Sequence, residues 1–431
     1  AGSRQSFGDV MGYVILNRTL MPRLGPALLT HLIPWVLQFT AGTSRENISC
    51  MHPSIPAWEP LSSEALADQL GTYDRQRTAC ALARSPRGVT LFRHADVVAA
   101  AHDPQTFSSA LPSRRAVPNG MDPPEHAAWR ALVDGFFAPA QIAALEPRVR
   151  AIADAVVAAL PRGTVFDAVA ELGRPFAVRA QTAWLGWQGI EDELLGWMTD
   201  NHAATRCGDT ARNAAVAAAF DEIIRRQLRR RRTPDAAASG DPTTALLSAT
   251  REGQPLSEAD IVSILRNWTA GDLASMAAAL GVVVWFLAAH PDVQQNLRNR
   301  PDDLAPAIDE MLRIDDPFLV NRRVTTRAVR IGEHELAAGT RVYLNWTSAN
   351  RDEAVFGDPD AYQPARNAPH NLVYGAGIHV CPGRPLATME LVVAVQSLLT
   401  ATALIEPAPD AAPERETYPL GGWRRVPVLL R

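Results

Sequence analysis

Cysteine is scarce and scattered. The chain has four, Cys50, Cys80, Cys207 and Cys381, and no two form a C-x-x-C pair. That spacing excludes a disulfide framework and a structural zinc site, and it reads as a reduced, cytoplasmic protein. A basic surplus is also missing. The formal net charge is −4, whereas phosphate binding ordinarily needs a clear positive excess, so nucleic acid is not an expected partner. The apolar stretch Leu20 to Phe39 lacks continuity, being interrupted by Arg23, His31 and Gln38 and broken by Pro22, Pro26 and Pro34. A spanning helix needs about 20 mostly apolar residues, and the basic start and cleavage site of a secretory signal are not clear either. Stable membrane insertion is therefore not expected. No internal repeat is found.

What is present is the composition of a globular protein, 47% hydrophobic and 20% charged. Residues 1–54 read as a leader, with Ala1-Gly2-Ser3 resembling the remnant of a cleaved tag, and residues 55–431 read as one domain. Apolar residues recur at three- and four-residue spacing in Val149–Pro161 and Asn213–Arg230, which predicts helices. Arg231–Thr244 reads as a loop between helices, and the arginines at 225, 226 and 229–232 as a solvated helix end rather than a docking patch. The best-defined element starts at Ser257. Ser257 and Asp260 make an S-x-x-D capping box, and Leu256 with Ile261 can staple the first turn. The pattern then runs about 30 residues to His290, with Pro291 as the stop. It is apolar nearly all round from Met276 to Ala289, so the helix is expected to cross the middle of the fold. Gly88–Ala95 and Arg327–Trp346 alternate as hairpins do, with turns at Gly332 and Gly339. The expected class is mainly α with small β-sheets.

Cys381 lies in YGAGIHVCPGRPLA, Tyr374 to Ala387. A buried core cysteine would not need so many glycines. A cysteine phosphatase loop would place arginine where Ala387 stands, and a peptidase nucleophile would leave Gly375, Gly377 and Gly383 unexplained. The remaining reading is a thiolate ligand to haem iron. Gly375 and Gly377 let backbone approach a flat macrocycle, and the helix signalled by Pro382 stabilises negative sulfur.

Here the chain resembles the cytochrome P450 family. Its signature Phe-Gly-x-Gly-x-(Arg/His)-x-Cys-x-Gly is matched from Tyr374 to Gly383, with Tyr374 in place of phenylalanine. Glu310 and Arg313 match its E-x-x-R, and Arg366 is the third partner that the resemblance implies. It likewise implies haem b held between the long helix and the cysteine loop. Cys381 would be the iron ligand, and His126, Arg130, Arg323 and His379 would reach the propionates. Ala270, Gly271, Tyr374, Gly375 and Gly383 would lie against the ring. The family's oxygen-handling motif departs here: Ser275 stands for the usual threonine and Ala274 for the usual acid. Asp272, three residues before Ser275 on nearly the same face, is the nearest candidate acid for proton delivery.

The resemblance further implies an NAD(P)H-driven monooxygenase acting on a small hydrophobic or aromatic compound with O2. Electrons would come through a reductase or ferredoxin. The chain also looks like one bacterial branch in which the haem domain is often fused to a phthalate-dioxygenase-type reductase carrying FMN and a 2Fe–2S cluster. Pocket walls are expected, by resemblance, in the loop before Asp122, at Leu265, Thr269, Ala270 and Leu273, at Phe318, Leu319 and Val320, and at Trp423; for each, core packing is an equal alternative. A peroxide-driven enzyme on the same fold, or a non-catalytic haem protein, stays open.

Overall fold

The computed structural model describes residues 54–110, 115–233 and 240–431. The leader expectation, the Leu20–Phe39 stretch, Cys50 and the middle of the Arg231–Thr244 loop lie outside the described residues. The helices that position the site are α1 (His94–His102), α2 (Glu125–Asp134), α3 (Pro139–Ala158), α4 (Arg174–Leu185), α5 (Glu191–Cys207), α6 (Thr210–Arg231), α7 (Glu258–Ala289), α8 (Leu304–Ile314) and α9 (Arg384–Ala401). The main sheet contains β1 (Leu82–Ser85), β2 (Gly88–Leu91), β3 (Phe107–Ser108), β4 (Val320–Thr325) and β5 (Arg341–Asn345), in the order β1-β2-β5-β4-β3.

The expected central helix is α7. Ser257 caps it by accepting from the Asp260 N–H at 3.2 Å. It packs against α4, α6, α8 and α9, and Leu280, Val283, Val284 and Leu287 are fully buried. Each such side chain contributes about 1.5–3 kcal/mol by leaving water. The helix has the length and mean hydropathy of a membrane span, yet most of it is buried inside the protein. Its apolar girth is the signature of a core helix.

The sheet differs from expectation in one place. Gly88–Ala95 is not itself a hairpin: β2 is the second limb of a hairpin with β1, and the strand stops at Leu91 because His94 opens α1. The Arg327–Trp346 text does fold back, at Gly332, as strands Val329–Ile331 and His334–Leu336. β5 then lies between β2 and β4, pairing Val342 with Val89 on one side and with Arg323 on the other. Arg323 is thereby held in a sheet that faces the site.

Lysine is absent from the chain, so every buried side-chain ammonium is replaced by the planar fork of a guanidinium. The arginine run at the end of α6 is neutralised locally. Arg226 pairs with Glu193, Arg229 with Glu222 at 2.6 Å and Arg232 with Glu258 at 2.7 Å. Glu310 and Arg313 form a bidentate pair at 2.8 and 2.9 Å, both essentially inaccessible. Arg366, expected as third partner, is not there. It donates to the Phe356 carbonyl and Gln363, and the inner position goes to Asn367, which donates to Glu310 at 2.7 Å. Pro364–Asn367 is a single helical turn, so adjacent residues point about 100° apart and only one faces the buried carboxylate.

Candidate active site

The cysteine loop is fixed by its own backbone and by α2. The Cys381 N–H donates to the Tyr374 carbonyl at 2.9 Å, and Val380 N–H to Gly377 at 3.1 Å. Gly377 has φ +70°, and a Cβ there would sit 2.1 Å from the Ala101 carbonyl of α1. Only glycine fits that close approach. From α2, the Arg130 guanidinium donates to the carbonyls of Ile378 at 3.0 Å and Val380 at 2.6 Å, and to Asp134 at 2.6 Å. Burial pushes the Cys381 thiol up, while the Gly383 N–H and Arg130 pull it down. The net rise keeps the proton on sulfur unless a positive centre binds there.

Cys381 opens onto a cavity of about 380 Å³. One wall is α7, through Asn267, Trp268, Gly271, Asp272, Ser275, Met276 and Ala279; a second is the strand side, through Phe318, Asn321, Arg323 and Trp346. Tyr374, Gly375, His379 and Gly383 line it from the cysteine loop. A Cβ at Gly271 would meet nothing within 4 Å, so the helix is thin where it faces the cavity. Ala270 is turned toward the core instead.

This side of the cavity fits an anionic ligand. Arg323 is 6% exposed, and among the described residues it donates only to the Arg322 carbonyl, at 2.8 Å; burial lowers its pKa to about 10, with the charge of Asp122 opposing the fall. His126 and His379 stack edge to face at 4.5 Å, and the Nε2 of each is buried without a partner. Burial and Arg323 bring His379 down to about 3. A buried cation beside two orphaned imidazole nitrogens calls for carboxylates to complete it. Arg130 is already engaged with the loop carbonyls, so His126, His379 and Arg323 carry most of that demand.

On α7, Ser275 donates to the Gly271 carbonyl at 2.6 Å and also approaches that of Asp272 at 3.1 Å. Burial raises Asp272 to about 7, and its Oδ2 has no partner. Glu390 on α9 is fully inaccessible with both oxygens unpartnered; burial, then the charge of Asp272, raises it well above the carboxylate range. Tyr374 uses its phenol on Thr388 at 3.1 Å, under the Arg384 guanidinium.

Several expected pocket residues lie elsewhere. Leu265, Thr269 and Leu273 are fully buried on another face of α7, four residues apart in register with the core rather than the cavity. Leu319 and Val320 pack with Trp58 and Tyr73, and Trp423 sits between Trp285 and Arg415. Of the predicted walls, Phe318 and the loop before Asp122, through Pro118 and Asn119, line the cavity. Sequence reading missed Asn267, Trp268, Asn321, Trp184 and Glu390. The first two belong to the series Asn267, Gly271, Ser275 and Trp268, Asp272, Met276, whose four-residue spacing marks the cavity face.

The cytochrome P450 family model matches residues 304–417. Cyclomarin C epoxidase CymV of Salinispora arenicola is 32% identical over 365 residues, covering 79% of this chain and 90% of that protein. The chain belongs to the cytochrome P450 family. Linalool 8-monooxygenase of Pseudomonas putida is 28% identical over 79% of this P450 and 89% of that protein. Among solved structures, the open form of the P450 EryK from S. erythraea superimposes with TM-score 0.76 at 26% identity, covering 86% of this chain and 97% of that one. This P450 is accordingly a haem-dependent monooxygenase.

Proposed function

We propose that this P450 inserts one oxygen atom from O2 into a small hydrophobic or aromatic compound, by hydroxylation or dealkylation. The reading is carried by one arrangement: Cys381 shares a single cavity with Asp272, Ser275 and Arg323, beside the unpartnered Nε2 atoms of His126 and His379. Haem b, when bound, supplies the oxygen activation and transfer. Cys381 would donate its thiolate to the iron, and Arg323, His126 and His379 would hold the propionates. Arg130 fixes the loop that presents the sulfur. Asp272, protonated below about 7, would deliver protons, with the Ser275 oxygen accepting from bound water. Aromatic walls from Phe137, Trp184, Trp268 and Phe318 favour an apolar substrate and exclude water.

Electrons would come from NAD(P)H through a reductase or ferredoxin carrying FMN and 2Fe–2S, in the cytoplasm, with residues from about 55 onward forming the haem domain. A peroxide-driven reaction is the second reading. It draws on Ala274 at the usual acid position and on a Ser275 proton already committed to Gly271. Turnover with peroxide alone, compared with NAD(P)H plus reductase, separates the two. For the core reading, Cys381→Ser should abolish the thiolate-type ferrous–CO spectrum. Survival of that spectrum would overturn the ligand assignment.

A further inference from the structure

We propose that the substrate carries a secondary amide, read by two asparagines whose orientations the protein fixes. The inference rests on the monooxygenase reading and names the substrate class for that same cavity. Asn321, on β4, accepts a hydrogen bond at 2.6 Å from the indole N–H of Trp346. An indole nitrogen can only donate, so the bonded atom is Oδ1, and the Asn321 NH2 is the end left over. Asn267, on α7, donates at 2.8 Å to the Val117 carbonyl. A carbonyl can only accept, so the bonded atom is Nδ2 and the oxygen is left over. Both residues line the cavity, and among the described residues neither leftover group has a partner.

The helix wall therefore presents a fixed acceptor and the strand wall a fixed donor, set among aromatic rings. Hydrocarbons offer neither group and ethers only an acceptor, while a hydroxyl offers donor and acceptor on one atom and so cannot reach two separate walls in opposite directions. A trans secondary amide does: it is planar, with its C=O and N–H pointing in opposite directions, which suits a donor and an acceptor on different walls. Its carbonyl accepts from Asn321, and its N–H donates to Asn267. Fixed polar groups reject analogues that leave them unpaired far better than apolar walls do.

Three probes of nearly equal shape test this by titration of the Soret spin-state shift in the holoenzyme. Acetanilide has both groups, phenylacetone keeps the carbonyl but replaces N–H with CH2, and propylbenzene has neither. Asn321→Asp keeps the acceptor for Trp346 and replaces the donor with a second acceptor oxygen, adding a negative charge that all three probes meet alike. It should weaken acetanilide and phenylacetone about tenfold more than propylbenzene, which reports the effect of the charge alone. Asn267→Leu should weaken acetanilide alone, by a similar factor. If either variant changes all three probes alike, or leaves acetanilide unchanged, the amide assignment is overturned. If Asn321 serves the cofactor instead, Asn321→Asp will loosen haem retention and weaken every probe equally, which also overturns it. An intact thiolate-type ferrous–CO spectrum alongside a failed probe pattern shows that only the amide inference is wrong. Loss of that spectrum in the unmutated protein shows that the monooxygenase reading itself has failed.

Discussion

Replacing Arg323 with methionine should make the haem-free protein more stable and the haem-loaded protein less well assembled. Arg323 is 6% exposed and, among the described residues, pairs with no carboxylate. Burial lowers its pKa from the ordinary guanidinium range to about 10. At about 1.4 kcal/mol per pH unit, carrying the charge costs the folded haem-free protein about 3 kcal/mol. The sign follows from linkage. The folded state disfavours the protonated form, so the cost is present at every pH below about 10 and is relieved only above it. Arg323→Met removes the charge while filling much of the same space. The urea midpoint of the haem-free variant should rise, equivalent to about 1–3 kcal/mol after water and side-chain relaxation are allowed for. Haem transfer from the holoprotein to apomyoglobin should meanwhile accelerate about tenfold or more, because the propionates lose a charge-assisted partner. A haem-free variant that is less stable than the parent, or unchanged haem transfer, would refute the account of Arg323 as a cation stored for an anionic ligand.

Three further outcomes are expected. Glu310→Gln leaves Arg313 buried and uncompensated, which should cost about 3–5 kcal/mol in urea unfolding; Asn367→Ala should cost about 1–3 kcal/mol and Arg366→Ala less than about 1 kcal/mol, a ranking that reverses if Arg366 is the true partner. His202, buried with both ring nitrogens unpartnered, is lowered to about 4 by burial; the unfolded chain takes up the proton first, so stability should fall as pH drops from about 6.5 toward 4, and His202→Leu should flatten that loss in acid-denaturation curves. Asp272→Asn should lower product formed per NAD(P)H about tenfold or more with peroxide released instead. In the parent the same coupling should decline as pH rises through about 7, where Asp272 loses its proton, and a variant with an unchanged pH profile would remove Asp272 from the proton path.

Local pattern carried much of this protein. The capping box at Ser257, the apolar girth of α7 and the stop at Pro291 determine a long core helix, because capping and periodicity act within a few residues along the chain. The cysteine loop was equally legible: Gly377 must be glycine where it meets α1, and a sequence motif records such a backbone requirement directly. Tertiary structure decided what depends on rotation and on distant partners. A stretch that is apolar on every side does not say which face meets a cavity, so the sequence alone points to Leu265, Thr269 and Leu273, which belong to the core, and does not single out Asn267 and Trp268, which line the cavity. Arg366 and Asn367 are neighbours in the chain, and only the turn they occupy determines which one reaches Glu310. The fixed orientations of Asn321 and Asn267 depend on Trp346 and Val117, 25 and 150 residues away in sequence, contacts that no local pattern encodes.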